Sequence, residues 1–324
     1  MKKNLLDLLA AKEGYVSGED ISQELGVSRT AVWKQVRSLR ELGYDIDAQP
    51  RQGYRLRLRP DRLLPAEIAR GLNTGWMGRE VVYLEETDST NEVAKKLARE
   101  GAREGTIVVA EHQSRGKGRQ GRQWESPPYS GVYFTVILRP SFAPRYAPRA
   151  TLMAAVAVAR GIKRSTGLEV RIKWPNDILL NEGKVVGILT EMSSDMDSIH
   201  HLVIGIGINI NHEIQIPSRY RYPATSLQSE LKSPVSRLEV LQRCLEELEK
   251  CYDEWVKDGF ANLLDEWRAM SHTLGRWVKV NFDEAAVEGT AEDVEEDGSL
   301  LLRQKDGSIF RVVAGEVLFP KTAK

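Results

Sequence analysis

Residues 18–41 carry the pattern that most narrows what this chain can fold into. A helical stretch, Gly18–Leu25, ends at Gly26-Val27-Ser28, and a second begins at once with Val32, Val36 and Leu39 on one face. Glycine suits the left-handed residue that closes a helix, and serine supplies the oxygen that caps the next one. Helix, short turn, helix is the helix-turn-helix arrangement. Leu5, Leu6, Leu8 and Leu9 place another helix ahead of it, stopping before Gly14. Two strands follow, meeting around Pro50-Arg51-Gln52-Gly53. In the second, Tyr54, Leu56 and Leu58 alternate with Arg55, Arg57 and Arg59, which predicts one packed face and one face bearing three guanidiniums. Together these elements describe a winged helix. The whole chain is neutral, with 46 basic and 46 acidic residues, which argues against a binder of polyanions along its length. Yet Ser28–Arg62 holds nine basic and four acidic residues, a local charge of +5. Ser28 opens the third helix, and Arg29, Thr30, Trp33, Lys34 and Arg37 lie away from its apolar face. The pattern predicts DNA binding, with that helix in the major groove and wing arginines such as Arg51 on phosphates. A winged helix that contacts protein is the alternative.

Beyond this segment the chain falls into two further parts. Pro60 and Pro65 bracket a junction, giving a first domain over 1–62. Residues 63–270 mix strands and helices. Residues 271–324 read as short strands, with Asp297-Gly298 and Asp306-Gly307 as hairpin turns of a small β-barrel. Nothing in that last segment looks catalytic by itself. The longest apolar run, Leu152–Ala159, is far short of a membrane span, and Asp7 interrupts the first apolar stretch, so neither a membrane segment nor a leader is expected. Cys244 and Cys251 fall seven apart in a helical pattern, with Cα atoms about 10 Å apart. That is beyond disulfide reach and points to a reduced, cytoplasmic chain without a structural metal.

The chemistry concentrates in the middle. A strand, Ile107–Ala110, delivers Ser114-Arg115-Gly116-Lys117-Gly118-Arg119-Gln120-Gly121-Arg122-Gln123-Trp124. Gly116, Gly118 and Gly121 fit the dinucleotide fingerprint G-x-G-x-x-G, but that fingerprint must open a helix, and Pro127-Pro128 soon forbids one. Four cations with no acid among them suit instead a flexible loop that closes over an anionic ligand. Trp124 either stacks on a flat ligand or joins the core. In Lys173-Trp174-Pro175-Asn176-Asp177, the proline breaks the chain and projects Asn176 and Asp177 from a turn. Asp beside Asn suits a hard cation such as Mg²⁺, or is a plain turn. Lys184 opens an apolar strand. Gly205 and Gly207 alternate with isoleucine, leaving one strand face bare, for a ligand or for close packing. Ser89, Thr90 and Asn91 cap a helix and offer polar groups.

The ordered strings D-S-T-N, G-K-G-R-Q-G-R-Q-W, K-W-P-N-D, G-K-V-V-G-I-L-T-E and G-I-G-I-N resemble those of the biotin–protein ligases. With the winged helix added, essentially the whole chain is similar to the bifunctional ligase and biotin operon repressor branch of that family. The resemblance implies a central α+β catalytic domain of the class II synthetase kind and an SH3-like C-terminal barrel. It implies biotin as substrate, with ATP and Mg²⁺. The partners it implies are a lysine of the biotin carboxyl carrier protein of acetyl-CoA carboxylase, operator DNA, and a second copy of the chain in a homodimer. By the same resemblance Ser89, Thr90, Asn91 and Gln113 contact the biotin rings, Gly116, Lys117, Gly118 and Arg119 form the closing loop, and Lys184 stands near the biotin carboxylate with Arg119 as a catalytic partner. Gly205 and Gly207 form the pocket floor. Asn176, Asp177, Asn209, Arg119 and Arg122 lie near the ATP phosphates, with Asp177 the Mg²⁺ ligand. The loop commonly reads Gly-Arg-Gly-Arg, and Lys117 departs from that pattern. A lipoate–protein ligase is the alternative enzyme. A ligand-responsive repressor with lapsed ligase chemistry is the alternative of another class.

Overall fold

The computed structural model describes residues 4–212, 223–282 and 285–320. The chain divides into two compact units, Met1–Asp61 and Arg62–Lys324. In the smaller unit, α1 (Leu5–Ala11), α2 (Gly18–Leu25) and α3 (Arg29–Glu41) precede the hairpin of β1 (Asp45–Gln49) and β2 (Gly53–Leu58). Gly26 closes α2 in the left-handed region at φ 66°, and the Ser28 hydroxyl accepts from Ala31 N to open α3. Leu5, Leu6, Leu8, Leu9, Ile21, Val32 and Val36 form the buried centre. The alternation expected in the wing holds only in part. Leu58 is 68% exposed, and Arg57 is bound to Asp47 at 2.7 Å, so one of the three guanidiniums is already engaged by a carboxylate.

The larger unit runs α4 (Pro65–Gly71), β3 (Val81–Thr87), α5 (Thr90–Arg99), β4 (Ile107–Gln113), β5 (Gly131–Leu138), α6 (Ala147–Thr166), β6 (Arg171–Lys173), β7 (Asp177–Leu180), β8 (Gly183–Ser194) and β9 (Ile199–Asn209). It continues with α7 (Leu227–Leu231), α8 (Arg237–Asp258), α9 (Ala261–Met270), β10 (Trp277–Phe282), β11 (Ala285–Val294), β12 (Leu300–Arg303), β13 (Ile309–Val312) and β14 (Glu316–Leu318). Seven strands form one sheet in the order β3-β4-β5-β9-β8-β7-β6. The β3–β4 pair, joined through α5, is parallel, and the other pairs are antiparallel. Ala94 and Ala98 of α5 pack with Val108, Ile137 and Val203, while α6 and α8 belong to the main core with the other side chains of the sheet.

The last five strands make a separate antiparallel sheet, β13-β12-β11-β10-β14, in which the final strand returns beside the first. Its Val278, Val280, Leu300, Leu302 and Val317 share the main core. Trp174 is the fastener: it is buried, its Nε1 donates to Gly298 O at 2.9 Å, and its N donates to Thr273 Oγ1 at 2.9 Å. The tryptophan of K-W-P-N-D therefore ties the segment beyond residue 270 to the seven-stranded sheet. Cys244 and Cys251 are both buried and unbridged on α8.

Candidate active site

A cavity of about 700 Å³ opens over the middle of β8 and β9. Its walls are the start of α5, the loop after β4, the turn between β6 and β7, and residues 315–317. Fourteen of the positions singled out for small-molecule binding line it: Ser89, Thr90, Asn91, Gln113, Lys117, Gly118, Arg119, Arg122, Asn176, Asp177, Lys184, Gly205, Gly207 and Asn209. Gly116 does not. It is buried beside the cavity, where a Cβ would meet the Ser126 hydroxyl and the Gln113 amide.

One end of the cavity is neutral and tightly bonded. Gln113 Oε1 accepts from Thr90 N at 2.9 Å and from the Thr90 hydroxyl at 3.1 Å, and its Nε2 donates to Ser126 at 2.9 Å. Asn91 donates to Leu189 O at 3.2 Å and to Glu191 at 2.8 Å, and accepts from Thr135 at 2.7 Å. Ser89 precedes α5 in an extended conformation, but its hydroxyl makes no capping bond. The expected serine cap is absent, and the adjoining Thr90 N–H donates to Gln113. The Ser89 side chain, buried at the cavity wall, keeps its hydroxyl for another partner.

The glycine face of the sheet is not bare. A Cβ at Gly207 would overlap Trp124 Nε1, one at Gly187 would come within 2.8 Å of the Trp124 ring, and one at Gly205 would overlap Asn91 Oδ1. The glycines thus admit the Trp124 indole and the Asn91 amide, which themselves line the cavity. The half-buried Trp124 indole lies on the sheet and lines the cavity, with Lys184 Nζ 5.3 Å from its ring centre.

The other end is charged. Lys184 Nζ is 2.6 Å from Asp177 Oδ1, and Lys173 Nζ is 3.9 Å from Asp177 Oδ2. Burial pushes the Lys173 ammonium down to about 8, and burial also lowers Arg119. Arg119 donates to Asn176 Oδ1 at 3.0 Å and to Gly315 O at 3.3 Å, while Arg122 grips the Glu316 carboxylate with both nitrogens. Asn176 Nδ2 donates to Ile188 O at 2.8 Å, and Asn209 Nδ2 to Thr225 O at 3.2 Å. Asn209 is thus a strut that pins the neighbouring chain. The loop after β4 contains a single short 3-10 turn, Arg119–Gly121, and no α-helix, so the glycine spacing is not a dinucleotide fingerprint.

Sequence reasoning missed three contributors. Gly315, Glu316 and Val317 bring the C-terminal sheet, which by itself shows no catalytic motif, into the wall. No local signal marks them, because their partners stand nearly 200 residues earlier. Lys173 stood inside a motif yet drew no assignment, since its burial is invisible in sequence. His212 lines the cavity too, with a buried Nδ1 that finds no partner among the described residues.

The smaller unit carries its own candidate surface. On α3, Arg29, Thr30, Trp33, Lys34 and Arg37 are exposed, as are Ser28 and, in the wing turn, Arg51. Trp33 is 52% exposed, unusual for an indole unless it meets a partner. Arg37 lies 6.0 Å from its ring centre and 3.1 Å from Glu41.

Comparison with known proteins covers both units. Residues 83–209 match the Biotin/lipoate A/B protein ligase family, residues 2–55 an HTH domain, and residues 273–319 the Biotin protein ligase C terminal domain. The Bifunctional ligase/repressor BirA of Bacillus subtilis (strain 168) is 39% identical over 309 residues, 95% of each chain. Its namesake in Escherichia coli (strain K12) is 31% identical over 322 residues, 98% of each. Among solved structures, the biotin protein ligase from Aquifex aeolicus in complex with biotin and ATP superposes with a TM-score of 0.63 at 29% identity, over 74% of this chain and 98% of that one.

Proposed function

This chain belongs to the biotin–protein ligase family, in the branch that joins the ligase to a helix-turn-helix, and from that premise we propose that it activates biotin with ATP and represses transcription in response. In the first step a biotin carboxylate oxygen bonds to the α-phosphorus of ATP, the bond to the bridging oxygen breaks, and pyrophosphate leaves. The product is biotinyl-5′-AMP. In the second step the ε-amine of a lysine on the biotin carboxyl carrier protein of acetyl-CoA carboxylase bonds to the acyl carbon. AMP leaves, and the amine's proton passes to solvent.

The observation that carries this reading is the joining, in one cavity, of a neutral hydrogen-bonding end at Thr90 and Gln113 with a cationic end at Lys184, Lys173 and Arg119. A fused-ring urea wants the first, and a carboxylate meeting a triphosphate needs the second. Ser89, Thr90, Asn91 and Gln113 bind the ring system, directly or by holding each other. Lys184 offsets the repulsion between carboxylate and phosphate, and Arg119 stabilises charge that develops on the α-phosphate. Gly116, Lys117 and Gly118 close the loop backbone over the adenylate and exclude water, which protects a hydrolysable mixed anhydride. Arg122 and Asn209 fix the ATP side.

Magnesium fits as a passenger of the triphosphate. Asp177 is already paired with Lys184, Asn176 Oδ1 already accepts from Arg119, and no group of three His, Cys, Asp or Glu among the described residues could hold an ion alone. Asp177 has lone pairs left for an ion brought by phosphate oxygens, which is how Mg²⁺ usually binds. When bound it would neutralise the departing pyrophosphate.

On the regulatory side, Ser28, Arg29, Thr30, Trp33, Lys34 and Arg37 read operator DNA, with Arg51 on a phosphate. One winged helix makes few phosphate contacts, so a homodimer promoted by the adenylate supplies the second half-site. Unmodified carrier protein opposes this by consuming the adenylate. The deciding experiment pairs transfer of labelled biotin to purified carrier protein with titration of operator DNA, with and without biotin and ATP. Transfer to carrier plus ligand-tightened DNA binding is the expected result. Lipoate transfer, or DNA binding without any acyl transfer, overturns it.

A further inference from the structure

The four cations of the loop after β4 are held unequally. Arg119 and Arg122 are fastened to Gly315 and Glu316 on the side of the C-terminal sheet. Lys117 points the other way and forms an ion pair with Glu92 on the first turn of α5. Lys95, one turn on, reaches the same Glu92 oxygen at 2.8 Å and Glu191 at 2.7 Å. Glu191 in turn accepts from Asn91, whose own carbonyl abuts Gly205. Alternating charge therefore runs from the loop, across α5, to the floor of the cavity. The Lys117 ammonium, then Lys95, holds the Glu92 carboxyl below its ordinary range.

Closing a loop of three glycines and four like charges costs ordering entropy and self-repulsion. Two pins on one side leave the other free to lift. Glu92 is the acid that meets the loop on that second side. Its oxygen Oε1 is shared by two ammoniums. A point-charge ammonium can share one oxygen, whereas a guanidinium fork claims both. That suits the lysine at position 117.

We propose that Glu92 is a positioning residue that latches the loop shut over the bound adenylate through Lys117, a role that rests on the ligase reading. The test uses the full chain in a double-mutant cycle of Glu92→Gln, Lys117→Met and the pair, with Lys96→Met as a control. Lys96 is exposed on the same helix and takes no part in this network. Two quantities are read: release of labelled biotinyl-5′-AMP after a chase, and amide hydrogen exchange over residues 114–123. Each single variant releases adenylate about three- to fivefold faster, the range for a partly exposed ion pair. Each also exchanges faster in the loop. The double variant is no faster than either single, and Lys96→Met matches wild type. Wild-type release and exchange in Glu92→Gln, additive effects in the double variant, or a fallen global unfolding midpoint overturns the latch. If wild type makes no adenylate, the ligase reading fails, while the exchange measurement still decides whether Glu92 holds the loop.

Discussion

A carboxylate attacks a phosphate only if something cancels their mutual repulsion, and Lys184 is the side chain best placed for it. It is partly exposed and 2.6 Å from Asp177, so its loss should leave the fold standing. Lys184→Ala is expected to slow adenylate formation by about 10²- to 10³-fold, the usual worth of one preorganised charge partner. Pyrophosphate release and far-UV circular dichroism check the two halves of that statement. Gly207 tests the floor by overcrowding. An alanine there would collide with Trp124 Nε1, so Gly207→Ala should cost about 1–3 kcal/mol of stability and lower biotin affinity, read by denaturant unfolding and calorimetric titration. At this scale the roles given to Lys184, Asp177 and Arg119 come from the family likeness of the short strings that hold them, since taken alone Lys184 and Asp177 read as turn residues. Lys173 and Glu316 were not legible. A lysine announces nothing about burial, and a glutamate gripped by Arg122 from far along the chain has no neighbour in sequence to betray it.

Elements are set in place by a few buried polar ties. The Glu111 carboxylate at the end of β4 accepts from Arg237 of α8 at 2.7 Å and from Leu63 N at 2.8 Å, and Arg237 also reaches Gly131 O at 3.2 Å. Both side chains are fully buried. One pair thus joins the first residues of the larger unit, strand β4 and the long helix. Arg237→Met should lower the unfolding free energy of that unit by about 3–5 kcal/mol, because it strands a buried carboxylate. Glu111→Gln should cost less, since its amide oxygen can still accept from Leu63. Urea unfolding followed by circular dichroism orders the two. The helices of the smaller unit and the hairpins at Asp297-Gly298 and Asp306-Gly307 could be read from periodicity and turn chemistry. The order of seven strands could not, since pairing depends on contacts between segments that share no local pattern. The wing shows the limit of alternation: Tyr54 and Leu56 are half-buried, but Leu58 at the strand's end has nothing to cover it.

Over the whole molecule, the residues that line the cavity lie in the larger unit and those of the helix-turn-helix face in the smaller. Activities built on them should separate by mutation. Replacing Arg29 and Arg37 together by Ala is expected to weaken operator binding at least tenfold and to flatten its salt dependence, while biotin transfer to carrier stays at the wild-type rate. Operator titration at several salt concentrations, beside a transfer assay on the same preparation, measures both. Lost transfer in that variant would mean that the smaller unit takes part in the chemistry. The net charge of zero concealed this division, because the basic surplus of Ser28–Arg62 is balanced by acid elsewhere.

The two cysteines of α8 have a practical consequence for anyone handling the protein. Burial drives the Cys251 thiol up to about 12 and raises Cys244 as well, so neither holds a useful amount of thiolate near neutrality. Electrophilic labels and mild oxidants find nothing to react with while the helix is packed. Each label taken up therefore records an opening event, so the two native thiols report how often the core comes apart without any engineered cysteine.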